Sequence, residues 1–476
     1  METFLDPIWE HGERIALIDP CGNKTSYNEL HKKVSALSSY FSDSQSLAIL
    51  ICKNTLVSLT GYLSCVTQAV VPLLLPSKTP NIILNSYIDA YRPKYLFLDF
   101  SFEHDFYHRI MEIEDFFLYV SKDARVPRIN SSLRLLLTTS GSTGNPKLVR
   151  LSDENLRINC EMICSSLPMI ADDIAITTLP FNYSYGLSII NTHLLKGAAI
   201  QLNEYAVVQR SFWDLLYRSK ATTFGGVPFH YQQIKNVGLK KILDSNVRYL
   251  TQAGGKLAEM QLREIYKICD IGSIEFFVMY GQTEASARIS VLNPTDAKKH
   301  PGSIGKVIAP GEFWLSPLVT DVAVKDHEVG ELVFRGGNVA MGYADSEDDL
   351  ILGDEWNGVL KTGDLAYFDS EGFPYIIGRL SRFTKIRGIR FSLDDIESLF
   401  SNLNFRILAL EVDEILHLVS TEEFELKLLN QILQRSFGLR SLDFKIVKVS
   451  SIPLASSGKV DYAAIARTIT SMDVQK

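Results

Sequence analysis

Residues 47–75 read LAILICKNTLVSLTGYLSCVTQAVVPLLL, and this stretch decides the fold class. Leu47–Ile51 is a continuous apolar run and reads as a buried strand. A helix is expected from about Thr55 to Gln68, and a second buried strand over Ala69–Leu75. Two apolar strands joined by a helix imply a parallel sheet covered by helices on both faces. Lys53, Asn54, Gln68 and Pro72 interrupt the apolar stretch, which argues against a membrane span.

The same alternation continues on both sides. Upstream, Ala16–Asp19 reads as a short strand, followed by a turn at Gly22-Asn23-Lys24. Ser26 with Glu29 three residues on forms a capping box, which predicts a helix running to about Phe41. Downstream, Leu133–Thr138 is another apolar run, and residues 150 to 290 form a second strand-and-helix region. From 301 to 377 short β-rich runs alternate with Gly and Pro, which suits a small barrel or an antiparallel sheet. Gly378-Arg379-Leu380-Ser381 reads as a linker, and the remainder as a small α+β unit. The expected architecture is thus α/β. It has a large N-terminal domain, residues 1–379, of two parallel-sheet subdomains plus a small β-barrel-like subdomain. A small mobile C-terminal domain follows over residues 380–476.

Composition narrows the function classes. With 476 residues, 46% apolar and 22% charged, the chain is of ordinary globular type and long enough to bury a core without disulfides or metals. A net charge of −7 argues against a nucleic-acid or anionic-membrane partner. None of the six cysteines forms a CxxC pair. Cys160 and Cys164 lie one helical turn apart, but no nearby His or Cys completes a metal site. They read as reduced thiols of a cytoplasmic protein. The N-terminal residues lack the basic and apolar regions of a signal peptide.

Four segments carry chemistry. Thr138 to Lys147 ends a strand and opens a loop of Ser, Thr and Gly, so its backbone N–H groups, hydroxyls and Lys147 could cradle a phosphate. The Walker A spacing is absent. Tyr280-Gly281-Gln282-Thr283-Glu284 follows the apolar run Phe276–Met279, placing an aromatic, a hydroxyl and a carboxylate at a strand end, where ligands bind in open α/β sheets. Tyr280 could stack on a purine and Glu284 could hold Mg²⁺ on phosphates. Asp364, within Lys361-Thr362-Gly363-Asp364-Leu365, could accept hydrogen bonds from ribose hydroxyls, and Arg379 could reach the same sugar or a phosphate. Lys459 lies in the glycine loop Ser456-Ser457-Gly458-Lys459, before a helix expected from about Tyr462. Read singly, each segment is an ordinary turn or a solvated surface loop. Their order and spacing give them weight.

Together they resemble the adenylate-forming (ANL) superfamily: acyl- and aryl-CoA synthetases, adenylation domains of non-ribosomal peptide synthesis, and luciferases. The resemblance runs from Ser26-Tyr27 to Lys459. It implies an ATP-dependent carboxylic acid:thiol ligase. The acid becomes its acyl-adenylate with release of pyrophosphate, and the acyl group then passes to coenzyme A or to the phosphopantetheine of a carrier protein. Thr139, Ser140, Gly141, Ser142, Thr143, Gly144 and Lys147 would grip the β- and γ-phosphates. Ala253, Gly254 and Gly255 would line the adenine and acyl pocket. Tyr280 and Gly281 would lie against adenine, Thr283 would contact the α-phosphate, and Glu284 would bind Mg²⁺. Asp364 and Arg379 would hold the ribose, and Lys459 would bridge the carboxylate and the α-phosphate. Rotation about a hinge at Ser381 would then withdraw Lys459 and bring the face around Lys385 to Gly388 toward the acyl carbon.

Two departures from the family pattern stand out. Many relatives carry Asp or Lys where this chain has Ser381, and Lys256 follows Gly254-Gly255 as an unusual neighbour for the nucleotide pocket. The segment Pro180–Gly186 matches the acyl-pocket lining of the family. Amino-acid-activating relatives place an aspartate where this chain has Asn182, and a buried unpaired ammonium would be costly there. An acid without an α-amino group is therefore expected. Tyr183, Tyr185, Phe229 and His230 suggest a compact, partly polar pocket for an aryl or short functionalised acid. The basic run Arg382, Lys385, Arg387, Arg390 suits a coenzyme A phosphate, but carrier proteins are acidic too. The alternatives are an amino-acid-activating enzyme loading a carrier protein, a luciferase-type monooxygenase, a non-catalytic nucleotide-binding homologue and a plain NTPase.

Overall fold

The computed structural model describes residues 3–474 except 42–44, 124–126, 139–146, 318–327, 381, 387–388, 404, 413–414 and 455–458. The strand–helix–strand expected at 47–75 is present: strand Leu47–Cys52, helix Leu56–Thr67 capped by the Thr55 side chain, and strand Val71–Pro76. The two strands pair in parallel, Leu47 opposite Val71. The helix is buried along nearly its whole length, as an all-round apolar helix must be. Leu59, Tyr62 and Leu63 pack in one core with Leu187, Ile190 and Leu194 of helix Ser184–Leu195. Each such buried side chain contributes about 1.5–3 kcal/mol. The capping box also forms: the Ser26 hydroxyl accepts from Glu29 N at 3.2 Å, and Ser26 N donates to Glu29 Oε2 at 2.8 Å. Its helix, Tyr27–Ser38, stops one turn short of Phe41.

Among the described residues most strands gather into two large mixed sheets, each parallel at its centre and antiparallel toward its edges. One runs in the order Gly342–Ala344, Leu148–Ser152, Leu133–Thr138, Val71–Pro76, Leu47–Cys52, Tyr95–Leu98, Phe116–Ser121, Tyr107–Ile113. The other places Glu275–Tyr280, Tyr249–Gln252, Thr223–Gly226, Ile174–Ile176, Ala199–Gln201 and Ile15–Ile18 side by side, with antiparallel strands at both edges. The core containing helix Leu56–Thr67 reaches residues of both sheets, so the helices between them form a shared apolar layer.

The barrel-like region expected at 301–377 is, among the described residues, an open antiparallel sheet of Glu312–Pro317, Gly330–Arg335, Val359–Phe368 and Pro374–Arg379. The linker expected from Gly378 starts later, because Gly378 and Arg379 are the end of a strand in which Arg379 lies opposite Asp364. Beyond it come the hairpin Phe383–Ile386 and Ile389–Ser392, the strands Leu408–Val412, Ile415–Ser420 and Phe444–Lys448, and helices Leu393–Asn402, Leu426–Phe437 and Tyr462–Val474. They pack around their own apolar clusters, centred on Ile396, Phe400 and Leu416 and on Leu410, Val419 and Ile465. Among the described residues no helix is long and apolar enough to cross a membrane.

Candidate active site

Thr223–Gly226, Tyr249–Gln252 and Glu275–Tyr280 run parallel with Phe224, Leu250 and Phe276 in register. Their carboxyl ends therefore open on one edge, where ligands bind in such sheets. The segments leaving that edge are Val227–His230, Ala253-Gly254-Gly255 and Gly281–Glu284. Two glycines shape the edge. A Cβ on Gly281 would meet the Ala287 carbonyl oxygen at 1.9 Å, so only glycine lets the chain fold back onto residues 287–288. Gly254 has φ +83°, and a Cβ there would lie 2.6 Å from the Tyr183 hydroxyl and 3.3 Å from Lys459 Cε.

Asp364 is the hub of the site. It is 3% exposed, and the Thr362 hydroxyl accepts from its backbone N at 3.1 Å. Its Oδ1 accepts from Arg379 Nε at 2.8 Å. Its Oδ2 accepts from the Tyr280 hydroxyl at 2.5 Å and from Gln282 Nε2 at 3.0 Å. Gln282 Nε2 also donates to Thr362 O at 2.8 Å. Burial and the adjacent carboxylate push the Tyr280 phenol far up, so it is a neutral donor. Three donors occupy a carboxylate that has about four acceptor positions, leaving room for a further hydroxyl.

A second group lies beside it. Glu284 Oε1 accepts from the Tyr343 hydroxyl at 2.9 Å, and the Lys147 ammonium sits 5.4 Å from the Tyr343 ring centre. The Thr283 hydroxyl is 3.1 Å from that of Ser184, the first residue of the long buried helix. Lys459 reaches in from the C-terminal part, its ammonium 5.4 Å from the Tyr183 ring centre. Burial pushes the Lys459 ammonium down, the Arg379 charge adds to this, and Glu284 and Asp364 oppose it. Lys147, Arg379 and Lys459 outnumber Glu284 and Asp364, a balance that suits a polyanion. Among the described residues no group of three or more His, Cys, Asp or Glu could hold a metal alone. A single carboxylate, Glu284, fits an ion such as Mg²⁺ that takes its other ligands from phosphate and water.

Next to this edge lies the expected acyl pocket. Ala253, Tyr185 and Val227 are buried together, with Tyr183 and Phe229 packed against them. The Tyr185 hydroxyl is 2.8 Å from that of Thr251. Asn182 is buried and its Oδ1 has no hydrogen-bond partner. Below them a narrow cavity is lined by Ser188, His193, Thr223, Tyr249, Thr251 and Arg288.

The structure thus brings together Tyr280, Gly281, Thr283, Glu284, Asp364, Arg379, Lys459, Lys147, Gly254, Gly255, Ala253, Asn182, Tyr183 and Phe229. The expected phosphate-loop residues Thr139, Ser140, Gly141, Ser142, Thr143 and Gly144, and the hinge Ser381, lie outside the described residues. The Lys256 side chain is exposed and its ammonium points to the Ile376 carbonyl at 3.5 Å. Arg382 is not free for a coenzyme A phosphate, because it pairs with Asp394 at 2.6 Å and Glu397 at 2.7 Å and lies over the Tyr462 ring. Sequence reading passed over Gln282, Ser184, Tyr343 and Arg288. Gln282 and Ser184 sat within quoted segments, but Tyr343 and Arg288 had no local signal, since their partners are distant in sequence.

The AMP-binding enzyme family profile matches residues 8–344, most of the chain. The chain belongs to the AMP-binding enzyme family. Over 342 residues this AMP-binding enzyme is 24% identical to the 2-succinylbenzoate–CoA ligase of Enterococcus faecalis, covering 69% of this chain and 68% of that one. It is similar in fold to o-succinylbenzoate CoA synthetase from Bacillus subtilis in complex with its acyl-adenylate, with a TM-score of 0.77, 21% identity and 97% of each chain covered. The structure of the same synthetase with ATP and magnesium ion matches at TM-score 0.75 and 21% identity, covering 97% of this chain and 98% of that one. The α/β architecture of two large sheets with parallel centres is that of these adenylate-forming enzymes.

Proposed function

We propose that this AMP-binding enzyme joins a small carboxylic acid without an α-amino group to the thiol of coenzyme A, with the residue roles below. The reaction class is ATP-dependent, AMP-forming acid–thiol ligation. In the first step an acid oxygen attacks the α-phosphorus of ATP, the α–β anhydride bond breaks and pyrophosphate leaves. In the second step the thiol sulfur attacks the acyl carbon of the acyl-adenylate and AMP leaves.

Anion meets anion in the first step, so catalysis rests on charge and positioning. Glu284 would hold Mg²⁺, which would supply charge neutralisation at the phosphates. Asp364 takes a ribose hydroxyl at its remaining acceptor position, and Arg379 holds that carboxylate in place. Tyr280 offers its ring to adenine while its hydroxyl stays on Asp364. Thr283 donates to the α-phosphate, and the loop Thr139–Lys147 holds the β- and γ-phosphates. Lys459 spans acid and α-phosphate. The observation that carries this reading is the position of Lys459, a residue from the far end of the chain standing at Gly254 and over Tyr183.

The second step needs Lys459 to leave and a thiol to enter. We divide the chain into domains 1–379 and 380–476, with rotation about residue 381 exchanging the two faces. Separate apolar clusters after residue 380 support this division. A separate carrier protein bearing phosphopantetheine is the alternative acceptor. A cytoplasmic setting agrees with the free cysteines.

Asn182, buried beside Tyr183 and offering no carboxylate, disfavours an amino acid as the substrate. ATP–pyrophosphate exchange over amino acids, hydroxybenzoates, short acids, fatty acids and 2-succinylbenzoate tests the reading. Exchange driven by a non-amino acid is expected. Exchange driven best by an amino acid would overturn the Asn182 argument.

A further inference from the structure

Asp394 is the second residue of helix Leu393–Asn402, and its two carboxylate oxygens serve different parts of the chain. Oδ1 accepts from Arg382 Nε at 2.6 Å, and Oδ2 accepts from Arg379 N at 3.2 Å. One carboxylate therefore ties a residue before position 381 to a residue after it. The approach is close because residue 378 is glycine. A Cβ there would lie 3.1 Å from Ser392 Oγ and 3.5 Å from Asp394 Oδ2. Backbone bonds follow the same path, with Arg382 N donating to Arg379 O and Leu393 N to Arg382 O, each at 3.0 Å.

Arg382 is fixed from the C-terminal side. Its Nη2 donates to Glu397 Oε1 at 2.7 Å, and its guanidinium lies 4.0 Å from the Tyr462 ring centre. Glu397 also accepts from Ala409 N at 2.8 Å and, at Oε2, from the Tyr462 hydroxyl at 2.8 Å. The Arg382 and Glu397 side chains are only 17% and 18% exposed, so water and salt screen this pair less than a surface pair. Tyr462 opens the last helix three residues after Lys459, and Val460 between them is bridged to Leu454. At the other end of the network, Arg379 Nε donates to Asp364 Oδ1. The bonds thus lead from the nucleotide hub through Arg379, Asp394, Arg382 and Glu397 to Tyr462, at the root of Lys459. Within this network the Arg379–Asp394 bond is the one side-chain contact that crosses residue 381.

Building on the ligase reading and its rotation about residue 381, we propose that Asp394 is a positioning residue: it clasps Arg379 and Arg382 and so holds Lys459 at the reaction centre during the first half-reaction. Asp394 touches neither substrate nor nucleotide and acts through the residues it joins. Rotation moves Arg382, Asp394, Glu397 and Tyr462 as one piece, and the bond of this network that it must break is the one from Arg379 N. A single charge-assisted hydrogen bond favours the arrangement with Lys459 in place, yet it can open once in each turnover. The acyl-transfer arrangement does not use the bond, so its loss hinders only the first step.

The test compares full-length wild type with Asp394→Ala and Arg382→Met. With the acid that drives ATP–pyrophosphate exchange best, Asp394→Ala should lower the exchange kcat by about tenfold or more, since small misplacements of a reacting group cost at least that. The KM for ATP should stay within about threefold, and transfer from preformed acyl-adenylate to coenzyme A should be unchanged or faster. Arg382→Met should act in the same direction, and the double variant should lose little more than either single one. Equal losses in both half-reactions, or a rise in KM with kcat unchanged, would overturn the proposal and leave the ligase reading intact. A second arm needs no acid. Limited trypsin digestion of the substrate-free protein should cut Asp394→Ala after Arg379 and Arg382 about fivefold faster than wild type, because the clasped segment opens more often. Unchanged cutting there would overturn the proposal. So would a matching rise at Arg406, Arg435 and Lys448, which would make Asp394 a residue of the C-terminal fold. Exchange with none of the acids would count against the ligase reading, while the digestion would still decide whether Asp394 is a clasp.

Discussion

Arg379 and Asp364 face each other directly across an antiparallel strand pair, and Arg379 Nε donates to Asp364 Oδ1 at 2.8 Å. The hub carboxylate is therefore tied to the last strand residue before the C-terminal part. The Asp364 charge in turn raises the Arg379 guanidinium, which stays protonated. Asp364→Asn exchanges a carboxylate for an amide before three donors and should raise the KM for ATP at least tenfold. Charge-assisted hydrogen bonds of about 1.5–3 kcal/mol set that scale. Calorimetry with ATP checks it, and an unchanged Kd would remove Asp364 from the nucleotide site.

Lys459 enters only the first half-reaction in the proposed scheme. Lys459→Ala should lower ATP–pyrophosphate exchange by about a hundredfold or more, the usual cost of losing one preorganised donor. Transfer from preformed acyl-adenylate to coenzyme A should stay within about threefold of wild type. Equal losses in both half-reactions would make the assigned role wrong.

The same lysine has a depressed pKa, from burial first and the Arg379 charge second. A lower pKa means a larger neutral-amine fraction at a given pH, so Lys459 should react with acylating reagents at about pH 8 before the surface lysines. ATP with magnesium should slow that labelling. Peptide mapping by mass spectrometry reads both effects, and labelling no faster than that of exposed lysines would contradict the site geometry.

Glu284 offers the carboxylate that fits the metal, and Tyr343 orients it. Glu284→Gln should raise the magnesium concentration for half-maximal exchange by tenfold or more. Tyr343→Phe should shift it in the same direction by less. Magnesium titration of the exchange rate decides, and a Tyr343→Phe shift larger than that of Glu284→Gln would reverse the assignment.

His193 is buried and held neutral, at about 4, against an ordinary value of about 6.5. Below pH 6.5 the unfolded chain takes up a proton that the folded chain refuses, so stability falls as pH drops from about 6.5 and levels off below about 4. The contribution lost is on the order of 3 kcal/mol. Denaturant melts across that range should show a flatter slope for His193→Gln, and an identical slope would place the acid sensitivity elsewhere.

Much of the architecture was legible because it depends on local pattern. Apolar runs at 47–51, 133–138 and 276–279 became strands within a residue or two of their expected ends, and Tyr462 does open the last helix. Gly378 and Arg379 were misread as linker because their strand is held by a pairing across to Leu365 and Asp364, which local composition does not announce.

The sequence by itself determined the α/β class, the capped helix at Ser26, and the residue types of the nucleotide motifs, because these follow from periodicity, local hydrogen bonding and short-range order. Only the tertiary structure decided that Tyr280, Gln282 and Arg379 converge on Asp364 and that Lys459 arrives from the far end of the chain. Those outcomes depend on which groups are desolvated together, and desolvation is a property of packed neighbours distant in sequence.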